Sequence, residues 1–173
     1  MKREVKKFNF RELILGGQDG LVNVLGLVLG VASATNETRV VLIAGIVATI
    51  AESVSMGAVA FTSTEAAKDY YKSKTRNNIP KDFKNPLKST FIVGISTLIG
   101  SLIPLISFFL LPVREAMVGS LIISAIVLFI AGAVKAKLSL GNWKKSGLEL
   151  LTIGLISALI GYGAGLLLRG YGI

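Results

Sequence analysis

Residues 16–34, GGQDGLVNVLGLVLGVASA, decide what kind of protein this is. The stretch can cross a bilayer core as a helix, for which about 20 residues at 1.5 Å rise suffice. Yet Asp19 and Asn23 lie inside it. A charged side chain at the bilayer centre costs about 2.5–3.5 kcal/mol on insertion scales, so such a group faces a pathway or a partner rather than lipid. A second stretch repeats the arrangement: residues 40–61, VVLIAGIVATIAESVSMGAVAF, carry Glu52. Two acids held within membrane helices are read as the mark of a protein that moves ions.

Working outward, 52% of residues are hydrophobic and the mean hydropathy is +0.68, more than a soluble domain of this size needs to fill one core. Five spanning helices are predicted, at about 13–34, 40–63, 89–111, 116–134 and 147–168. The fold class is therefore an all-α integral membrane protein, with residues 1–173 forming a single five-helix domain. Residues 1–12 form a basic cytoplasmic arm and 64–88 a short cytoplasmic loop. No cleavable signal peptide is expected, because the first apolar run carries an acid and lacks a small-residue cleavage site.

Basic residues flanking membrane helices stay cytoplasmic. The arm (Lys2 to Arg11), the second loop (Lys68 to Lys88) and the fourth (Lys135 to Lys145) hold all of the 19 lysines and arginines except Arg39, Arg114 and Arg169. This predicts the N-terminus inside and the C-terminus outside. It also explains the net charge of +9 without nucleic acid, since the loops lack stacking aromatics or a binding motif. The lipid bilayer, with its anionic headgroups, is the expected partner. The arm MKREVKKFNFRE is read as an ordinary topogenic flank, with an interfacial helix as the alternative.

Histidine and cysteine are both absent. That removes disulfides, thiolate and imidazole chemistry and the usual zinc and copper ligand sets. No Gly-rich phosphate loop occurs, so neither an enzyme nor a bound cofactor is expected. A metal here must use oxygen or thioether ligands.

Positions three or four apart share a helix face, which places Gly16, Asp19, Asn23, Gly26 and Gly30 on one stripe of the first helix. For the glycines a packing seam is the better account; Asp19 shifts the stripe towards a pathway wall. On the second helix the corresponding face carries Gly45, Ala48, Glu52, Met56 and Val59. Counting inward from the cytoplasmic ends puts Asp19 and Met56 at a common depth of roughly 10 Å, with Glu52 one turn further out. Two antiparallel helices would then gather carboxylate, amide and thioether. Alone, Met56 would be packing filler; as a ligand, its soft sulfur favours Fe²⁺ or Mn²⁺ over Mg²⁺ or Ca²⁺. The metal-site candidates are Asp19, Glu52, Met56 and Asn23. Carboxylates in such a place can trade protons for metal.

With these residues in place, the chain resembles the vacuolar iron transporter family, membrane Fe²⁺/Mn²⁺ transporters, in its short prokaryotic form. The resemblance is carried by QDGLVNVLGLVLGVA (18–32), VSMGAVAFTSTEA (54–66), NPLKSTFIVGISTLIGSLIPL (85–105) and AGAVKAKLSLGNWKKSGLELLTIG (131–154). It implies a five-helix membrane domain that forms a homodimer and carries metal along the dimer interface in exchange for protons. Asp19 matches the family's helix-one acid and Met56 the methionine of its Ser-Met motif. Glu52 is similar to the acid that some members carry one turn before that motif.

The chain also departs from the family pattern. Plant-type members insert a glutamate-rich domain between helices two and three, whereas here residues 64–90 carry only Glu65, Asp69 and Asp82 among lysines and arginines. Val59, Ala60 and Phe61 stand where a Gly-Glu-Tyr often follows the Ser-Met motif. Metal preference and capture are thus left open. Glu65 and Asp69, one turn apart, are candidates for a cytoplasmic entrance, although Glu65 lies about 180° around the helix from Met56. Solvated pairs with Lys68 and Lys72 are the plainer account, and Glu149 is expected to pair with Lys145. Pro104 kinks the third helix or marks its outer end.

The function expected is export of Fe²⁺ or Mn²⁺ from the cytoplasm by metal/proton antiport. The alternatives are a monovalent-cation/proton exchanger and a non-transporting scaffold or sensor in which the acids only bond helices together. The location expected is the plasma membrane of a prokaryote, or a vacuolar-type membrane in a eukaryote.

Overall fold

Apolar runs of this length form helices because a backbone in lipid must satisfy its own hydrogen bonds. The computed structural model describes residues 2–74, 80, 83–139 and 141–170, with side chains from Phe10 onward. Six helices follow in order: α1 (Lys2–Thr35), α2 (Thr38–Lys74), α3 (Pro86–Leu102), α4 (Ile106–Leu110), α5 (Val113–Ser139) and α6 (Trp143–Gly170). The described residues are all-helical or in short turns, without strands. Four helices, α1, α2, α5 and α6, are long and apolar enough to cross a membrane, and α3 is a shorter apolar helix.

The ends are set by local chemistry. Asn36 takes a left-handed φ of 53° and its N–H donates to the Ala32 carbonyl at 3.0 Å, closing α1 as asparagine can at a helix C-terminus. Asn85 caps α3 by accepting from the Lys88 amide at 3.4 Å, with Pro86 in the first turn, where its missing N–H costs nothing. The Asn142 side chain accepts from the amides of Lys144 and Lys145 at 3.1 and 3.4 Å and starts α6.

The helix predicted over 89–111 is divided. Pro104 has no N–H for an α-helical bond, and its ring would crowd the carbonyl four residues back. The chain instead tightens, with Ile103 donating to Gly100, Leu105 to Leu102 and Ile106 to Ile103. Helix α3 stops at Leu102, α4 begins at Ile106, and Pro104 is buried between them. Two other boundaries also differ from expectation. The arm is continuous with α1, and α2 runs eleven residues past residue 63, so Glu65 and Asp69 sit one turn apart on a helical extension, as their spacing implies. Asp82 lies outside the described residues, as do Arg76 and Lys81 of the same loop.

Helix α1 is the central element. It buries 44% of its apolar stretch, twice the 22% buried in each of α2, α5 and α6. Leu21, Val24, Leu25 and Val28 are all at most 1% exposed. The other helices turn branched apolar residues outward at helical spacing, such as Ile43, Val47, Ile50 and Val54 on α2 and Ile122, Ile126 and Ile130 on α5. These are surfaces for lipid. Small residues let the backbones cross closely: a Cβ on Gly100 would fall 2.0 Å from the Gly17 carbonyl oxygen, and one on Gly161 would fall 2.0 Å from that of Gly26.

Candidate functional site

The packing of α1 divides the small-residue stripe. Gly16 lies against Val93, Ser96 and Thr97 of α3, while Gly26 and Gly30 lie against Ser157 and Gly161 of α6. These glycines are packing seams. Asn23, between them, reaches α2, where its Nδ2 donates to Oε1 of Glu52. The other carboxylate oxygen of Glu52 accepts from Ser101 of α3 at 3.3 Å. Glu52 thus joins three helices.

This cluster lies at an opening rather than in the bundle core. Asn23 is exposed and Glu52 half-buried. Both line a cleft of about 390 Å³ between α1 and α2, otherwise walled by Val24, Leu27, Ala48, Ala51 and Ser55. Asp19, half-buried, sits one turn earlier than Asn23 on the same face of α1.

Met56 occupies a different space. It lines a cavity of about 320 Å³ with Arg11, Glu12, Ser63, Thr64 and Ser89. The face of α2 identified from its spacing is divided: Gly45 packs against Leu105 and Val28, Ala48 and Glu52 line the first cleft, and Met56 and Val59 line this second cavity. What the structure does not show is the four candidates meeting at one point. Asp19, Asn23 and Glu52 form one neighbourhood and Met56 another. Among the described residues of a single chain, no three acidic side chains converge.

Sequence reasoning missed Glu12. It is only 6% exposed and accepts from the Ser89 hydroxyl of α3. Ser89 in turn accepts from Thr64 Oγ1 of α2 at 3.2 Å. A buried carboxylate therefore stands in the same cavity as Met56, at the polar end of the helices. The signal was available: residues 12, 16, 19 and 23 share a face, so extending the stripe back one turn reaches Glu12. Its place among arginines and lysines led it to be counted with the arm.

Glu65 and Asp69 are both exposed. Asp69 pairs with Lys72 at 3.9 Å, in water, where such a pair contributes little. Among the described residues Glu65 makes no ion pair, and the expected Lys145–Glu149 pair is not formed. Trp143 stands edge-on to Phe129 with ring centroids 6.3 Å apart, an aromatic pair at one end of the bundle.

Comparison with known proteins bears on what this arrangement serves. A family model described as the VIT family matches residues 10–81 and 74–166. The VIT-like transporter 1b of Glycine max is 27% identical over 167 residues, covering 88% of this chain and 73% of that protein. The vacuolar iron transporter 1 of Eucalyptus grandis is 24% identical over 208 residues, covering 88% and 84%. A protein of Methanocaldococcus jannaschii, named only as uncharacterized, is 29% identical over 163 residues, covering 87% and 85%.

Proposed function

The chain belongs to the VIT family, and from that premise we propose that it exports Fe²⁺ or Mn²⁺ from the cytoplasm in exchange for protons, along a path lined by α1 and α2 between two copies of the chain. The observation that carries this reading is the Asn23–Glu52–Ser101 cluster, of which Asn23 and Glu52 line a cleft that one chain leaves open, with Asp19 one turn from Asn23 on the same helix. Polar groups at membrane depth belong against protein or in a water-filled cavity, not in lipid. A two-fold partner packed over this face would cover Asn23 and bring a second Asp19 and Glu52 to the same gap. The pair of chains then supplies four carboxylates and two amides, a set of oxygen ligands for a divalent ion.

In this reading the α3–α4 segment makes the fifth crossing, its break at Pro104 buried in protein as a non-helical stretch at membrane depth must be. An odd number of crossings puts the termini on opposite sides, with the basic arm and loops in the cytoplasm. A cation enters at the basic end through the cavity holding Glu12 and Met56, with Glu65 and Asp69 on the extension of α2 near its approach. It then passes outward to Glu52 and Asp19, which release protons as it binds. The membrane is the plasma membrane in a prokaryote or a vacuolar-type membrane in a eukaryote.

A scaffold reading has one observation in its favour: both Glu52 oxygens bond to neighbouring helices, as they would in a purely structural clamp. Flux of Mn²⁺ and Fe²⁺ into proteoliposomes, with and without a pH gradient, separates the two. Gradient-driven flux that is lost in Asp19→Asn supports transport. Absence of flux from well-folded wild type, for both metals and under either gradient, leaves the scaffold. Flux of K⁺ or Na⁺ uncompeted by Mn²⁺ and unchanged in Met56→Ala marks a monovalent-cation exchanger instead.

A further inference from the structure

Residues 10–18 of α1 and the last turns of α5 border a groove of about 480 Å³ on a different side of α1 from the contact between Glu12 and Ser89. Its walls are apolar, formed by Phe10, Ile14 and Leu15 of α1 and Leu138 of α5, and its rim carries two exposed cations, Arg11 and Lys135. Among the described residues neither cation pairs with a carboxylate. We infer that this groove is a binding site for one anionic phospholipid, its phosphate held by Arg11 and Lys135 and an acyl chain directed inward past Ile14 and Leu15.

The chemistry selects this occupant. A basic pocket between membrane helices, on the side where the chain concentrates its positive charge, matches an anionic headgroup. The apolar wall belongs to helices that cross the membrane, so a small soluble anion would leave it uncovered. A second copy of this chain would set like charges against each other across the groove. Arg11 also borders the cavity that holds Glu12 and Met56. A bound phosphate therefore offsets a positive charge at the mouth through which, on the proposed function, a divalent cation enters. That consequence rests on the transport reading; the lipid site itself does not.

The test is native mass spectrometry of the full chain in detergent, titrated with phosphatidylglycerol and with phosphatidylcholine of the same chain length. One phosphatidylglycerol should be retained at least about tenfold more strongly than phosphatidylcholine. Arg11→Gln with Lys135→Gln should abolish the preference, whereas Lys144→Gln with Lys145→Gln, equal in charge lost, should keep it. Ile14→Trp, which fills the groove and leaves both cations, should also lower retention. Equal retention of the two lipids, an equal loss in both double variants, or displacement by millimolar inorganic phosphate would overturn the site. Because binding is read without transport, failure here leaves the transport reading intact, and a chain that carries no metal can still pass.

Discussion

Asn23 of α1 and Glu52 of α2, twenty-nine residues apart in the chain, meet through a hydrogen bond from the amide Nδ2 to the carboxylate Oε1. The bond fixes one carboxylate oxygen of a residue whose other oxygen is held by Ser101. Groups that orient an acid in this way set how it presents itself to a cation. Losing one typically costs about 10–100-fold in metal affinity or activity. Asn23→Ala should therefore reduce metal flux by about that factor while Glu52 remains. Because Asn23 is exposed, the thermal midpoint in detergent should move little. A large fall in midpoint with proportionate loss of flux would instead mark Asn23 as a structural clamp.

Substituting Glu52 itself distinguishes orientation from charge. Glu52→Gln keeps the shape and can still accept from Ser101, but it carries no charge and cannot trade a proton for metal. Flux driven by a pH gradient should disappear, with the helical circular dichroism unchanged. Retained proton-coupled flux would remove Glu52 from the exchange and leave Asp19 as the carrier of that role.

Much of this arrangement was legible before any coordinates. Apolar length gave the long helices, and three-to-four spacing placed Asp19 and Asn23 on one face of the first helix and Glu52 and Met56 on one face of the second, without saying that Asn23 and Glu52 would be the pair that meets. The common level assigned to Asp19 and Met56 rested on counting from assumed helix ends. Both ends lie further out, since α1 starts at Lys2 and α2 reaches Lys74, and counting says nothing about how each helix is rotated or tilted. Periodicity also could not say that Pro104 would divide α3 from α4 rather than bend a single helix. Glu12 was hidden by its neighbours: in a run of basic residues it reads as a solvated charge, and only the approach of Ser89 and Thr64 shows that it is buried.

Glu12 provides a test at the other end of the proposed path. Removing a buried hydrogen-bonded acceptor leaves its donors unpaired at a cost of about 1–3 kcal/mol. Glu12→Ala should thus lower the thermal midpoint clearly. Glu12→Gln, which still accepts from Ser89, should be milder in stability. If Glu12 passes the cation on to Glu52, the glutamine variant should nonetheless lose most of its metal flux. Full activity of a stable Glu12→Gln protein would confine this residue to joining α1 to α3.

Met56 tests the soft-ligand argument. Met56→Leu conserves volume, and such swaps usually cost less than about 1.5 kcal/mol in a packed site. The leucine variant should stay folded yet discriminate less well between Mn²⁺ and Mg²⁺ in competition assays, because it has lost the one sulfur that a hard cation avoids. Unchanged discrimination would mean that the thioether only fills space beside Glu12.

The glycine crossings fix where α1 can sit, and they predict a sharp contrast between two chemically identical changes. Gly100→Ala would place a methyl 2.0 Å from the Gly17 carbonyl oxygen, a contact that backbone must move to relieve. Overpacking of this kind costs typically about 1–3 kcal/mol, and here it also pushes α3 away from α1, carrying Ser101 off Glu52. Gly163→Ala, on α6, meets nothing within 4 Å and removes the flexibility of a helical glycine, so it should be neutral or stabilising by up to about 1 kcal/mol. Thermal unfolding of the two variants in the same detergent, followed by flux measured well below either midpoint, checks both parts. The Gly100 variant should lose stability and, where it remains folded, lose flux as well if Glu52, deprived of Ser101, exchanges metal for protons as proposed. Equal midpoints for the two variants would show that α1 and α3 do not cross as closely as Gly17 and Gly100 indicate.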